Sequence, residues 1–489
     1  MAGSNMTETV GILAYGAYIP RLRLQRAAVV AANAWYAPGL KGLGKGERAM
    51  AGWDEDVVTM AVEAARDCLT GVDRATLAGV SLASTTAPFA DRQNAGIVKE
   101  ALDLSDDVAT LDLGGSQRAG MSALLQALQS AAGGVGPTLC VAADKRAARP
   151  ASEGELVYGD AAAALLVGPG PGIARLLATH SLSADFVDHF REAGEPFDYN
   201  WEARWVRDEG YAKLVPPAIA RALAKAGLAA SAIDAFVLPA TARGLGAAMA
   251  KAAGIPAAAV RDTLAATVGE AGAAHPLLML AHALETAKAG EKLLVIGFGN
   301  GCDVAVFEAT GAAIVPRRGV SGALARRRPE ENYLKYLAFN GHLQLEKGMR
   351  AEFDQKQPLT ALWRHRRAVL GLVGARSVET GTVQYPPSEI PVDGQVGTPV
   401  TQEPYPLAER FARILTHTAD SLTYTPDPPA YYGMIDFEGG GRMNVEFCDV
   451  DAADVAVGKR MRMMFRIKAV DEQRGFVRYF WKAAPAEEK

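Results

Sequence analysis

One unit of alternating strand, small-residue turn and helix occurs twice in this chain, and a duplication of that kind leaves few architectures open. The first copy reads LAGVSLASTTAP, AGIVKEAL, VATLDLGGSQRAGMSALLQA, TLCVAAD and GDAAAALLVG; the second reads IDAFVLPATARG, AAMAKAAGI, LAATVGEAGAAHPLLMLAHAL, KLLVIGF and GCDVAVFEATG. Each copy follows an amphipathic helix, AVEAARDCLTG before the first and PAIARALAKAGL before the second. Strands that are apolar throughout belong to sheets covered by helices on both faces. Two such halves about a pseudo-twofold axis predict a five-layered αβαβα arrangement. Ligands in sheets of this type bind where strand ends and helix N-termini converge, which gathers Thr85, Gln117, Pro239, Glu270 and the turn at 299–302 around one pocket.

The remaining length requires more than this one core, since the chain has 489 residues and single cores rarely organise so many. Apolar residues make up 49%, charged residues 22%, and the net charge is -4, so no bulk basic character points to nucleic acid or to a membrane surface. Cys68, Cys140, Cys302 and Cys448 lie far apart, without the paired spacing of a zinc site or a disulfide framework. The start MAGSNMTETVGILAYG lacks a basic region followed by a long apolar run, and the most apolar helix stops at Glu285. No signal peptide and no membrane span are expected, and a cytoplasmic location follows.

Within the first copy, VATLDLGGSQRAGMSALLQA reads as a buried strand, a glycine turn and a helix opening at about Gln117. Backbone N–H groups at such a helix start stabilise a thiolate or an oxyanion, so this is where a nucleophile is expected. The turn holds Ser116, Gln117 and Arg118 instead. A glutamine amide nitrogen is delocalised and does not attack a thioester.

The opening VGILAYGAYIPRLRL, the segment DFVDHFREAGEPFDYNWEARWVRDEGYAKLVPPAI and the closing LLVIGFGNGCDVAVFEA resemble the prokaryotic branch of 3-hydroxy-3-methylglutaryl-CoA synthase, in the thiolase and β-ketoacyl synthase superfamily. The resemblance implies a thiolase-like fold over about residues 8–312, with halves at about 8–170 and 200–312. It also implies a catalytic cysteine, glutamate and histidine, and these fall here on Gln117, Thr85 and Pro239. With all three groups replaced, acyl-enzyme chemistry loses its default machinery. GAAHP is similar to the Gly-His-Pro element of thiolases, which makes His275 and the neighbouring Glu270 the candidate acid–base groups beside Gln117. Thr85, Ser116, Arg118, Pro239, Asn300 and Cys302 are then expected to contact the substrate or coenzyme A.

After Ala312 the composition turns charged, with Arg326, Arg327 and Arg328 in a row, and residues 313–358 read as a connector. From Leu359 the chain resembles the acyl-CoA-associated domain that couples a zinc ribbon to an OB-fold. The ribbon's first cysteine pair falls on Ser377 and Thr380, and its second falls within IPVDG, also without cysteine, so residues 359–395 form a degenerate ribbon with no zinc. Residues 396–485 alternate at strand period between Gly and Pro turns, as a small β-barrel does.

These resemblances imply a protein that takes a coenzyme A thioester as substrate, with no covalently bound cofactor. Acyl-CoA carbon–carbon lyase or ligase chemistry of aldolase type, without an acyl-cysteine intermediate, is the leading expectation. Accessory subunit of a thiolase complex, acyl-CoA decarboxylase, and hydroxymethylglutaryl-CoA synthase with displaced catalytic residues are the alternatives. A homodimer is expected, with TLCVAAD as the edge strand that pairs across the twofold axis. A thiolase is a possible further partner; nucleic acid and membrane are not expected.

Overall fold

The computed structural model describes residues 9–486 except 241, 352, 353, 355 and 395–400. Contacts divide the chain into two units. The first comprises residues up to 342, apart from 53–55 and 97–104, and the second comprises those two short segments with residues from 343 onward.

The first unit contains β1 (Val10–Tyr18), α1 (Val57–Cys68), β2 (Gly79–Ala83), β3 (Ala109–Leu113), α2 (Ala119–Ala132), β4 (Thr138–Asp144), β5 (Ala161–Pro169), β6 (Ala174–Ser183), α3 (Ala212–Ala226), β7 (Ala235–Val237), α4 (His275–Leu284), β8 (Lys292–Phe298) and β9 (Gly301–Ala309). Its main strands run β7-β8-β9-β6-β1-β5-β4-β2-β3. Read outward from the centre, β1-β5-β4-β2 and β6-β9-β8-β7 repeat one order, joined where Gly11 and Ile12 of β1 pair with Arg175 and Ala174 of β6. Helix α1 packs on β1, β4 and β5, and α3 packs on β6 and β9. Between the halves, α2 and α4 touch each other and strands of both copies, which completes the five αβαβα layers. This middle layer must be apolar on all sides, and Met121, Leu124, Leu128, Leu277, Leu278 and Leu280 are each at most 1% exposed.

The expected edge strand is corrected. TLCVAAD is β4, buried apart from its half-buried first residue and hydrogen-bonded on both sides by β2 and β5, whereas the outer strand is β3, read from the sequence as buried but exposed or half-buried at every residue. An apolar run without charge marks a strand covered on both faces as readily as one seeking a partner. The connecting residues carry short elements of their own. Gly319–Ala325 and Tyr333–Phe339 are helices, and Arg328–Glu330 pairs with Leu22–Leu24. Arg327 pairs with Glu47 at 2.6 and 2.8 Å while its own side chain stays 51% exposed, so at this position the basic run neutralises a buried carboxylate from the surface.

In the second unit, Val383–Gln384, Val373–Ser377 and Gln402–Pro406 form a three-stranded antiparallel sheet. Ala412–Ile414, Thr418–Asp420, Ala430–Phe437, Arg442–Glu446, Arg460–Asp471 and Phe476–Pro485 form a six-stranded antiparallel sheet. The period-two alternation read from the sequence gives this sheet its core, including Ile435, Phe437, Met443, Val445 and Trp481. Among the described residues no helix is long and apolar enough to cross a membrane.

Candidate functional site

The site is built at the turn between β3 and α2. Gly115 has φ +82°, a conformation that costs glycine least, and the helix proper begins at Ala119, two residues after Gln117. Ser116 Oγ donates to the Gly299 carbonyl at 2.9 Å, which ties this turn to the turn between β8 and β9. A Cβ on Gly299 would lie 2.6 Å from Ser116 Oγ, so glycine is required for that approach.

The surroundings of Gln117 fix its amide. The donors around it assign the amide orientation: with its oxygen turned to them, Gln117 accepts from the Arg146 guanidinium, with nitrogens at 2.8, 2.9 and 3.3 Å, and from His189 Nε2 at 3.0 Å. Arg146 follows closely on the end of β4, and its side chain is 3% exposed. It donates to Asp198 at 2.7 and 3.0 Å, forms an ion pair with Glu270, and lies over the Tyr158 ring at 3.8 Å. Burial alone would favour the neutral guanidine, but Glu270, Tyr158 and Asp198 hold its pKa above the ordinary value. Arg146 is therefore a fixed cation that anchors the amide oxygen and turns the amide N–H₂ away from itself.

A two-stranded ribbon, His189–Phe190 paired with Tyr199–Asn200, supplies the groups opposite. Asp198 bridges Arg146 to Arg191 at 2.9 Å, Arg191 also donates to the Thr85 carbonyl, and Asn200 Nδ2 donates to the Tyr158 hydroxyl at 2.9 Å. Burial raises the pKa of that hydroxyl. His189 Nδ1 lies 3.1 Å from Asp188 Oδ1.

Thr85 is held from behind by the fully buried Asp144. Its carboxylate accepts from Ser84 Oγ (2.8 Å), Thr85 N (2.8 Å), Thr85 Oγ1 (3.1 Å), Thr86 Oγ1 (2.7 Å) and Ala273 N (2.7 Å). One carboxylate thus locks turns from both copies of the repeat, and the Thr85 hydroxyl is spent on that lock.

Two of the expected chemical groups have other occupations. Glu270 is joined to Arg146 by one oxygen and accepts from Gly272 N at 2.7 Å with the other. His275 is fully buried; Nδ1 accepts from Ala271 N at 3.1 Å and Nε2 donates to the Thr263 carbonyl at 2.7 Å. Burial lowers its pKa, so it acts as a neutral brace at the start of α4. Arg118 reaches the Leu182 carbonyl at 3.2 Å and lies 3.6 Å from Asp303, while Asn300, at φ +48°, shapes the adjacent turn. Cys302 belongs to an apolar cluster with Phe298 and Val304, and burial pushes its thiol up to about 12. Pro239 is half-buried after β7 and offers no proton. Gln117 and Glu270 therefore meet through Arg146, and Thr85 meets them through Arg191 and Asp198. His275 and Cys302 face into packing.

Sequence reasoning missed Arg146, Asp188, His189 and Asp198. The latter three lie in DFVDHFREAGEPFDYN, which carries no helix or strand period, and their signal was the density of ionisable groups in a segment too short to form a core of its own. Among the described residues no group of three or more His, Cys, Asp or Glu side chains is placed to hold a metal.

This fold is thiolase-like, and a β-sheet unit is joined to it in the same chain. Residues 223–307 match the family described as the C-terminal part of 3-oxoacyl-[acyl-carrier-protein] synthase III, and residues 411–466 match the C-terminal OB-fold domain of ChsH2. The chain is 28% identical over 340 residues to hydroxymethylglutaryl-CoA synthase of Aeropyrum pernix, covering 68% of this chain and 92% of the relative. It is 29% identical over 305 residues to the enzyme of the same name from Archaeoglobus fulgidus, covering 61% and 88%. In fold it is similar to 3-oxoacyl-(acyl carrier protein) synthase III of Pseudomonas aeruginosa, with a TM-score of 0.56 and 23% identity, covering 63% of this chain and all of the other. It is also similar in fold to an HMG-CoA synthase solved with CoA, with a TM-score of 0.57 and 18% identity, covering 71% and 95%. The chain is thus similar to hydroxymethylglutaryl-CoA synthases over its thiolase-like unit and matches an OB-fold domain in its second unit.

Proposed function

We propose that this protein makes or breaks a carbon–carbon bond in a coenzyme A thioester without attaching the acyl group to itself. The observation that carries this reading is the Gln117 amide, whose oxygen is held by Arg146 and His189. Its two N–H bonds are then the donors left for a ligand, and a positioned amide donor stabilises charge that develops on a thioester oxygen. In the cleavage direction, the bond between Cα and Cβ of a β-hydroxyacyl thioester breaks. Its electron pair passes into the thioester as an enolate, and the hydroxyl proton is finally returned to Cα. Ligation is the same path reversed. Ser116, Arg118 and Asn300 lie on turns next to that donor and are the proposed contacts for the thioester arm.

Acyl-enzyme chemistry is disfavoured because Ser116 spends its hydroxyl on Gly299, and Cys302 is a buried thiol. The test is incubation with acetyl-CoA followed by intact mass measurement, which should show no covalent adduct. A screen of β-hydroxyacyl-CoA substrates should then show cleavage by wild type and a loss of about 10²–10³ in rate for Gln117→Ala. An acetyl group mapped to Ser116 or Cys302 would reinstate an acyl-enzyme and end this reading.

A further inference from the structure

A carbon–carbon lyase needs a group that both takes and returns a proton, and the charged residues around Gln117 are mostly committed. Arg146 stays a cation, Asp198 and Glu270 are held on it, and His275 is sealed with both ring nitrogens on backbone groups. His189 differs from all of these. Its Nε2 lies 3.0 Å from the Gln117 amide, its Nδ1 lies 3.1 Å from Asp188 Oδ1, and its side chain is 18% exposed. The ribbon's alternation produces this placement: His189, Arg191, Asp198 and Asn200 reach into the site, whereas Phe190 and Tyr199 are 54% and 58% exposed.

We infer that His189 is the proton-transfer residue of this site and that Asp188 is its positioning residue; the inference rests on the enolate chemistry proposed above. With Nδ1 beside Asp188, the Nε2 of neutral His189 leaves the Gln117 oxygen when substrate enters and takes the substrate hydroxyl proton as the Cα–Cβ bond breaks. The enolate oxygen accepts from the Gln117 amide, and the imidazolium then gives the same proton to Cα. A carbonyl compound and a shortened acyl thioester leave, and His189 ends neutral. No water, oxidant or metal enters the balance. The charged and titratable groups around His189 are Asp188 at its Nδ1, Arg146 behind the Gln117 amide, Asp198 and Glu270 on Arg146, and Tyr211, which interacts electrostatically with Asp188 and Glu270.

Exchange of the acetyl-CoA methyl protons for deuterium in D₂O, followed by NMR, isolates the proton transfer from any particular β-hydroxy substrate. Wild type is expected to catalyse the exchange with a rate that rises with pH through one ionisation. His189→Gln keeps a polar group at this position and should slow exchange by about 10²–10⁴-fold. Calorimetric acetyl-CoA binding should change only a few-fold, and the pH-dependent limb should disappear. Asp188→Asn should retain the limb but move it to lower pH, because the imidazolium loses its carboxylate. Exchange at the wild-type rate in His189→Gln, or an unmoved limb in Asp188→Asn, overturns the assignment and leaves the proposed function standing. A wild-type protein that binds acetyl-CoA and exchanges nothing overturns both.

Discussion

At Gln117, and again at Ser377 and Thr380, this chain carries neutral polar side chains where its resemblances place cysteines, and the surroundings of the two turns differ in kind. Beside the three-stranded sheet of the second unit, Ser377 Oγ accepts from Thr380 N at 3.2 Å and the exposed Thr380 hydroxyl reaches Asp393 at 2.6 Å. A short hydrogen-bonded closure spans the positions of the two cysteine pairs. At Gln117 the replacement is surrounded by Arg146, Asp198 and Glu270, whose side chains are 3%, 4% and 12% exposed. Burying ions costs several kcal/mol each before pairing is counted, and a fold gains nothing from such a cluster where apolar packing would serve. A missing cysteine therefore does not by itself mark a retired site. The ionic cost retained around its replacement is the informative signal.

The sharpest way to break this comparison is at Arg146. Arg146→Met leaves Glu270 buried without its cation and Asp198 with Arg191 alone, and we expect a loss of about 3–5 kcal/mol in denaturant unfolding; a change below about 1 kcal/mol would mean that the cluster is solvated and the contrast false. Gln117→Ala should instead separate function from folding, with about 10²–10³ lost in rate and unfolding little changed. A large loss of stability in that variant would make Gln117 a brace, as Ser377 is.

A smaller, pH-dependent effect belongs to His275. Its folded pKa lies below the ordinary 6.5 because it is buried, so the unfolded chain binds the proton more readily. This contribution is complete above pH 6.5 and is lost as the pH falls below it toward the folded value. Unfolding measured in that range should show a falling stability that His275→Gln reduces, and identical pH dependence in the two proteins would contradict the buried, neutral assignment. The least effect is expected in the ribbon. Thr380→Val should cost about 0.5–1.5 kcal/mol, a chelator should leave the melting temperature unchanged, and elemental analysis should find less than one zinc per chain.

The duplicated unit was legible because its period and its apolar strands report burial on two faces, and the order of β1-β5-β4-β2 and β6-β9-β8-β7 follows that reading. The same apolarity misled for β4, since a run such as TLCVAAD states that it is covered but not by what. The arginines at 326–328 show a further limit: charge marked the surface, as the half-exposed Arg327 confirms, but not the buried Glu47 with which it pairs.

By itself the sequence determined the repeat, the turns that converge and the absence of cysteine at residue 117, because hydrophobic period and residue identity are local properties. Tertiary structure alone decided that Arg146, from the end of β4, would meet Asp198 and His189 from a ribbon more than forty residues away. It likewise decided that His275 would turn into the core while His189 stayed within reach of solvent. The physical reason is that a hydrogen bond or ion pair depends on distance and burial, and neither is a function of sequence spacing once strands and turns from separate parts of the chain are packed together.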